Sequence, residues 1–257
     1  AASDVYKRQG FNGILDLTGK KDGPPTLPGI LVADIGGGAY PAVIGILLAL
    51  LARNATGRGQ FIDISMVDCS FLWLYYAAGT YFTSGMTPSR GRELINGGSA
   101  RYQIYTTKDG CYLAVGALED HFWENLCDLL DIHDPQIRFN DRENSDLAIQ
   151  VLADKFRSKT STEWAKAFEG ADVCCNLIRG FQDAVSDPHF QLRGLIQSII
   201  GPDGKPQTIL GNPIKMSDTP PVIRRAAPLL GQDNRNILRE LGYSEAAYKG
   251  FSQEGVI

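Results

Sequence analysis

Apolar positions along the chain fall into three kinds of pattern. From Tyr40 to Arg53 they crowd every side of a helical projection, which predicts a buried helix. Thr56-Gly57-Arg58-Gly59 follows as its stop and turn. Phe61 to Ser65 reads as a strand, and Val67 to Phe82 as a second apolar helix. Ahead of these, Gly19 to Pro28 is a Gly/Pro/Lys-rich loop, and Ile30 to Ala33 is a short strand-like run that ends at Asp34 and a Gly36-Gly37-Gly38 turn.

Beyond a polar, glycine-containing loop from Thr83 to Gly98 the pattern changes. Tyr102–Thr107 and Cys111–Gly116 are β-rich runs, and Lys108-Asp109-Gly110 between them is a hairpin signal. Helices are expected from about Glu119 to Leu130 and from Ser145 to Arg157. Thr160 and Glu163 have capping-box spacing for another, which Gly170 closes. Val173 to Ile178 reads as a strand, and the stretch after Asp187 as connection and short strand. A final helical pair spans about Asn234 to Leu241 and Glu245 onward, with Gly242 between. Helices mixed with strands predict an α/β or α+β chain.

Composition narrows the class without naming it. The chain has 257 residues, 44% hydrophobic and 21% charged, which is enough apolar material for a core. The 25 basic residues are dispersed and the net charge is −4, so nothing suggests a nucleic-acid surface. The five cysteines are irregularly spaced with no C-x-x-C, which predicts neither a disulfide framework nor a zinc site and implies a reducing, cytoplasmic setting. The longest apolar run, Ala42 to Ala52, is short for a bilayer, so no membrane is expected. The first nine residues lack an initiator Met and any periodicity, which suggests a truncated start or a foreign scar.

Two carboxylates stand where chemistry is conceivable. Asp34, between an apolar run and three glycines at a helix start, is placed to cap that helix. Close backbone approach and the positive helix end would equally keep it ionised as a nucleophile or base. Glu119 ends the apolar run Leu113–Leu118 and is either an active-site acid or a first-turn charge. His121, His133 and His189 lack metal-ligand spacing. No nucleophile elbow, Walker A or dinucleotide glycine motif occurs. Gly97 and Gly98 alone read as a flexible interdomain loop.

Taken together, these segments resemble the family III CoA-transferases, a group that includes the α-methylacyl-CoA racemases. The resemblance is carried by Ala33-Asp34-Ile35-Gly36-Gly37-Gly38, by Thr56-Gly57-Arg58-Gly59-Gln60-Phe61-Ile62-Asp63-Ile64-Ser65-Met66, and by Gly97-Gly98 with Tyr102, Tyr105 and Asp109-Gly110. Ala114-Val115-Gly116-Ala117-Leu118-Glu119, Asp187-Pro188-His189 and Leu238–Tyr243 continue it. It implies a Rossmann-like large domain and a smaller α/β domain in two interlocked chains. Residues 1–95 would be the C-terminal part of the large domain, 96–186 the small domain, and 187–257 a return segment.

On this pattern Asp34 matches the aspartate that attacks the acyl-CoA thioester in transferases, or exchanges the α-proton in racemases. Glu119 matches a glutamate that supports the racemase histidine. Gly36, Gly37 and Gly38 match substrate-binding backbone, and Gly97 and Gly98 a mobile loop over the active site. The resemblance implies acyl-CoA and carboxylic acid substrates, no metal, and no cofactor beyond coenzyme A as part of the substrate. The racemase histidine, in a Gly-His-Asp motif just ahead of Gly10, has no counterpart in Ala1–Gln9. The expectation is a C-terminal part of a longer member. CoA transfer is the first reading, racemisation the second, and an inactive fragment or binding module the third.

Overall fold

The computed structural model describes residues 7 and 9–257. They form two compact units, 1–178 and 179–257, each described here by itself.

The core of the first unit is built on three antiparallel strands, β1 (Tyr102–Thr106), β2 (Tyr112–Gly116) and β3 (Cys175–Leu177), in the order β1-β2-β3. Tyr105 pairs with Leu113 and Val115 with Cys175, so alternate residues of each strand meet on one face. Three helices bring apolar stripes to that face. Trp123, Leu126 and Cys127 lie on Asp120–Leu129, Ala148, Leu152 and Phe156 on Ser145–Phe156, and Trp164 on Ser161–Phe168. Their spacing of three and four residues is the helical period, and all seven are buried in one cluster with Leu113, Val115 and Tyr105.

The turn of the expected hairpin is tied into this core. The Asp109 carboxylate accepts hydrogen bonds from Thr107 Oγ1 at 2.5 Å, Ser161 Oγ at 2.7 Å and Ser161 N at 2.9 Å. It thereby joins the turn to the start of the Ser161–Phe168 helix. That helix begins at the capping box read from the sequence, with Thr160 N donating to Glu163 Oε2 at 2.7 Å.

Upstream, several expectations are corrected. Ile30–Ala33 forms no strand, and the three glycines form no turn. Val32–Ala39 is π-helical and runs directly into the α-helix Tyr40–Thr56, because the glycines let this helix close onto Met66, Ser70 and Trp73. The helical stretch is therefore 25 residues, long and apolar enough to cross a membrane by length and composition alone. Nor is Tyr40–Thr56 buried: none of its residues is, and Leu47 and Leu51 are 55% and 66% exposed. One stripe, at Gly45, lies against Ile62 and Ile64, and its other apolar sides are exposed. Phe61–Ser65 is extended but not a strand, since no described strand lies alongside to complete a ladder. The second apolar helix is interrupted, as Met66–Phe71, a 3₁₀ turn Leu72–Leu74, and Tyr75–Ser84.

The loop before β1 is folded rather than loose. Arg92 pairs with Asp22 at 2.6 Å and Lys21 with Asp146 at 2.7 Å, while Arg90 bonds Gly23 O at 3.1 Å. Asn96 Oδ1 accepts from Glu93 N at 2.8 Å.

The second unit holds two short helices, Phe181–Val185 and Pro188–Leu192, and a hairpin of β4 (Ile196–Ile200) with β5 (Pro206–Leu210). Asp187 starts the second of these helices by accepting from His189 N at 2.8 Å. The final helices, Asn234–Glu240 and Glu245–Gln253, fall where the sequence places them and are bridged by Arg235 and Glu245.

Candidate active site

Asp34 is the third residue of the π-helical segment and is half-buried. The position preceding that segment is Leu31, and no side chain caps it, so Asp34 is not the cap that its spacing suggested. Among the described residues its carboxylate has neither an ion-pair partner nor a hydrogen-bond donor. A carboxylate left without internal partners keeps its lone pairs for an incoming group.

The glycines after Asp34 let a second helix approach. A Cβ on Gly36 would lie 2.8 Å from the Trp73 ring, and one on Gly37 2.8 Å from Met66 O and 3.0 Å from Ser70 Cβ. One on Gly38 would meet Met66 Cγ at 3.2 Å. The helix carrying Asp34 thus rests on Met66–Trp73. Ser70 is in turn held by Asn12, whose Nδ2 donates to Ser70 Oγ at 2.7 Å in a buried bond.

Glu119 stands at the start of the Asp120–Leu129 helix, in extended conformation with φ −73° and ψ 140°. Its carbonyl accepts from Trp123 N at 3.1 Å, and its exposed side chain makes no capping bond. Its position is fixed from both sides by Arg101. That guanidinium donates through Nη1 to Asp120 Oδ1 at 2.7 Å and to Leu118 O at 3.4 Å. Through Nε and Nη2 it grips both oxygens of Asp141 at 2.8 Å, and it lies 4.9 Å from the centre of the Trp123 ring. Arg101 and Asp141 are both buried, so the charge is neutralised where water cannot reach it. The Asp120 carboxyl is held below its ordinary range by the hydrogen bond and the charge of Arg101. Sequence reading missed Arg101, Asp120 and Asp141. Only the juxtaposition of distant charges in the fold reveals them, and nothing in local spacing signals it.

Gly97 and Gly98 are held in place. Gly97 has φ +113°, open to glycine alone without strain, and its carbonyl accepts from Gln103 Nε2 at 2.7 Å. Gly98 N donates to Glu93 O at 2.9 Å, Gly98 O accepts from Ser145 Oγ at 2.5 Å, and a Cβ there would lie 2.0 Å from Arg92 O. Gly97 lines cavities of about 690, 470 and 810 Å³ in this unit. Neither Asp34 nor Glu119 lines any of the three, so the structure does not gather all the expected site residues around one of these spaces. No cluster of His, Cys, Asp and Glu suited to a metal ion occurs among the described residues.

Comparison with known proteins gives a consistent neighbourhood. The family model for CoA-transferase family III matches residues 1–234. The α-methylacyl-CoA racemase of Mus musculus is 32% identical over 244 residues, covering 91% of this chain and 61% of the racemase. The succinate–glutarate CoA-transferase of Agrobacterium fabrum is 33% identical over 246 residues, covering 92% of this chain and 60% of the transferase. A crystal structure of a CAIB/BAIF family protein from Brucella suis superposes with a TM-score of 0.72 at 30% identity, over 92% of this chain and 62% of that one. The chain spans about three fifths of the length of the relatives it matches.

Proposed function

The chain belongs to CoA-transferase family III, and from that premise we propose that it carries the nucleophile of an enzyme moving coenzyme A between an acyl-CoA and a carboxylic acid. The observation that carries this reading is Asp34, a half-buried carboxylate with no donor or cation beside it among the described residues, on a helix anchored by glycine contacts. Its oxygen attacks the thioester carbonyl, and CoA thiolate leaves as the mixed anhydride forms. The thiolate then attacks the Asp34 carbonyl, which releases the first acid and leaves an enzyme–CoA thioester. An acceptor carboxylate takes up CoA through the reverse steps and restores Asp34.

The racemase reading is favoured by Glu119, an exposed carboxylate held between Leu118 and Asp120 by Arg101. Identity does not choose between the two, at 32% to a racemase and 33% to a transferase. In that reading Asp34 exchanges the α-proton on one face of the α-carbon, a counterpart acid/base exchanges it on the other, and Glu119 supports that counterpart. A chain that keeps the fold as a binding module without turnover is the third reading.

The proposal includes a Rossmann-like large domain ending near residue 95, a small domain over 96–186 and a return segment over 187–257. It also includes an interlocked homodimer in the cytoplasm. The uncovered apolar sides of Tyr40–Thr56 support the dimer, as surface that a second chain would bury. Gly36–Gly38 and Gly97–Gly98 are proposed to face substrate through their backbone. No metal, no further cofactor, no nucleic acid and no membrane enters this reading.

Hydroxylamine trapping tests it. During turnover of an acyl-CoA, transfer leaves a hydroxamate on the peptide that carries Asp34, with loss of activity. Exchange of the α-proton for deuterium without trapping selects the racemase reading. Neither result, in a protein that binds acyl-CoA, leaves the binding module.

A further inference from the structure

A cavity of about 690 Å³ lies over the outer face of β1 and β2. Ile95, Tyr102, Ile104, Ala114 and Gly116 line it, and none of its lining residues is Asp, Glu, Lys, Arg or His. A free carboxylate placed there would gain no cation, whereas a hydrocarbon would cover the exposed apolar side chains of Ile95, Tyr102 and Ile104. The neighbouring cavity of about 810 Å³ continues beyond it with Tyr112, Ile149, Ala153 and Ile178, beside Lys20 and Arg157.

Asn96, Gly97, Gln103 and Ile104 line both spaces and form the wall between them. One side chain fastens that wall. Gln103 Nε2 donates to Gly97 O at 2.7 Å, and its Oε1 accepts from Ile104 N at 2.9 Å. Both ends of the amide are therefore used, one on the loop and one on β1. At φ +113° with no side chain, Gly97 is the wall residue best able to change backbone conformation once released.

Resting on the acyl-CoA reading above, we infer that Gln103 is a latch that sets acyl-chain length. With the Gln103–Gly97 bond made, the uncharged cavity accepts a short hydrocarbon acyl group. With it broken, the two cavities join and admit a longer one. Gln103 is a specificity-determining residue in this scheme and takes no part in bond making.

The test uses acyl-pantetheine thioesters, which carry the acyl group without the nucleotide. S-butyryl-, S-decanoyl- and S-succinyl-pantetheine are titrated into chain labelled at Ile and Ala methyl groups. Shifts at Ile95, Ile104 and Ala114 report occupancy, and methyls elsewhere report that the fold holds. Butyryl is expected to bind more tightly than succinyl. Gln103→Ala and Gln103→Met, the second keeping length but losing the donor, are expected to tighten decanoyl binding about tenfold and leave butyryl unchanged. Succinyl binding as tightly as butyryl overturns the uncharged ligand class. Butyryl and decanoyl affinities that move together, or not at all, in both variants overturn the latch while leaving the acyl-CoA reading in place. If no thioester perturbs these methyls, the cavity is no acyl site and the latch falls with it. The acyl-CoA reading itself is decided separately, by trapping at Asp34.

Discussion

Arg101 and Asp141, forty residues apart in sequence, meet as a buried pair in which two guanidinium nitrogens reach the two carboxylate oxygens at 2.8 Å each. The same arginine holds Leu118 and Asp120, so the helix start bearing Glu119 depends on a pair outside its own stretch of chain.

Removing Arg101 leaves the buried Asp141 carboxyl without a cation, and removing Asp141 leaves Arg101 with Asp120 alone. Arg101→Met is expected to destabilise the first unit by about 3–5 kcal/mol, and Asp141→Ala by less because Arg101 keeps its bond to Asp120. Denaturant unfolding followed by Trp123 fluorescence measures this. A loss near that of an exposed pair, below about 1 kcal/mol, would show that water reaches the pair.

Gly36→Ala pushes a methyl group to 2.8 Å from the Trp73 ring. The expected cost is about 1–3 kcal/mol of overpacking. Trp73→Leu removes the obstructing ring, so the double variant should lose less than the two single losses added together. Additive losses in urea unfolding would mean that the helices do not touch there.

Asp34→Asn should change stability by no more than about 0.5 kcal/mol, because the carboxylate has no partner to lose among the described residues. Trapping and turnover should vanish together. An Asp34→Asn protein with wild-type turnover would remove Asp34 from the chemistry.

The Asp109 carboxyl is lowered to about 2 by hydrogen bonds from Thr107 and Ser161. A carboxyl held lower in the folded than in the unfolded state contributes fully above its unfolded pKa, near 3.8. The contribution fades as pH falls from there toward 2. The stability advantage of wild type over Asp109→Asn should therefore shrink across that window, as followed by thermal unfolding at a series of pH values. An advantage constant with pH would mean that the hydrogen bonds do not favour the ionised form.

The hairpin at Lys108-Asp109-Gly110, the capping box at Thr160 and the helix from Ser145 were legible because short-range chemistry decides each of them. Phe61–Ser65 has strand composition, but a ladder needs a neighbour, and no run of residues carries that information. Asp34 was legible as a carboxylate among glycines. What those glycines approach, Trp73 and Ser70, lies 37 and 33 residues away and was not. The burial expected of Tyr40 to Arg53 came from its apolarity, which says that a surface needs cover and not what supplies it.

That bare helix governs how the chain behaves in a tube. Leu47, Leu48 and Leu51 stand in water with no polar group between them, so dilute chains gain by sticking to one another, to plastic or to a micelle. Salting-out ions such as sulfate sharpen that tendency, while a mild detergent laid along the helix quiets it. These seventeen residues, Tyr40–Thr56, therefore weigh on colloidal behaviour and on the choice of buffer for every titration above.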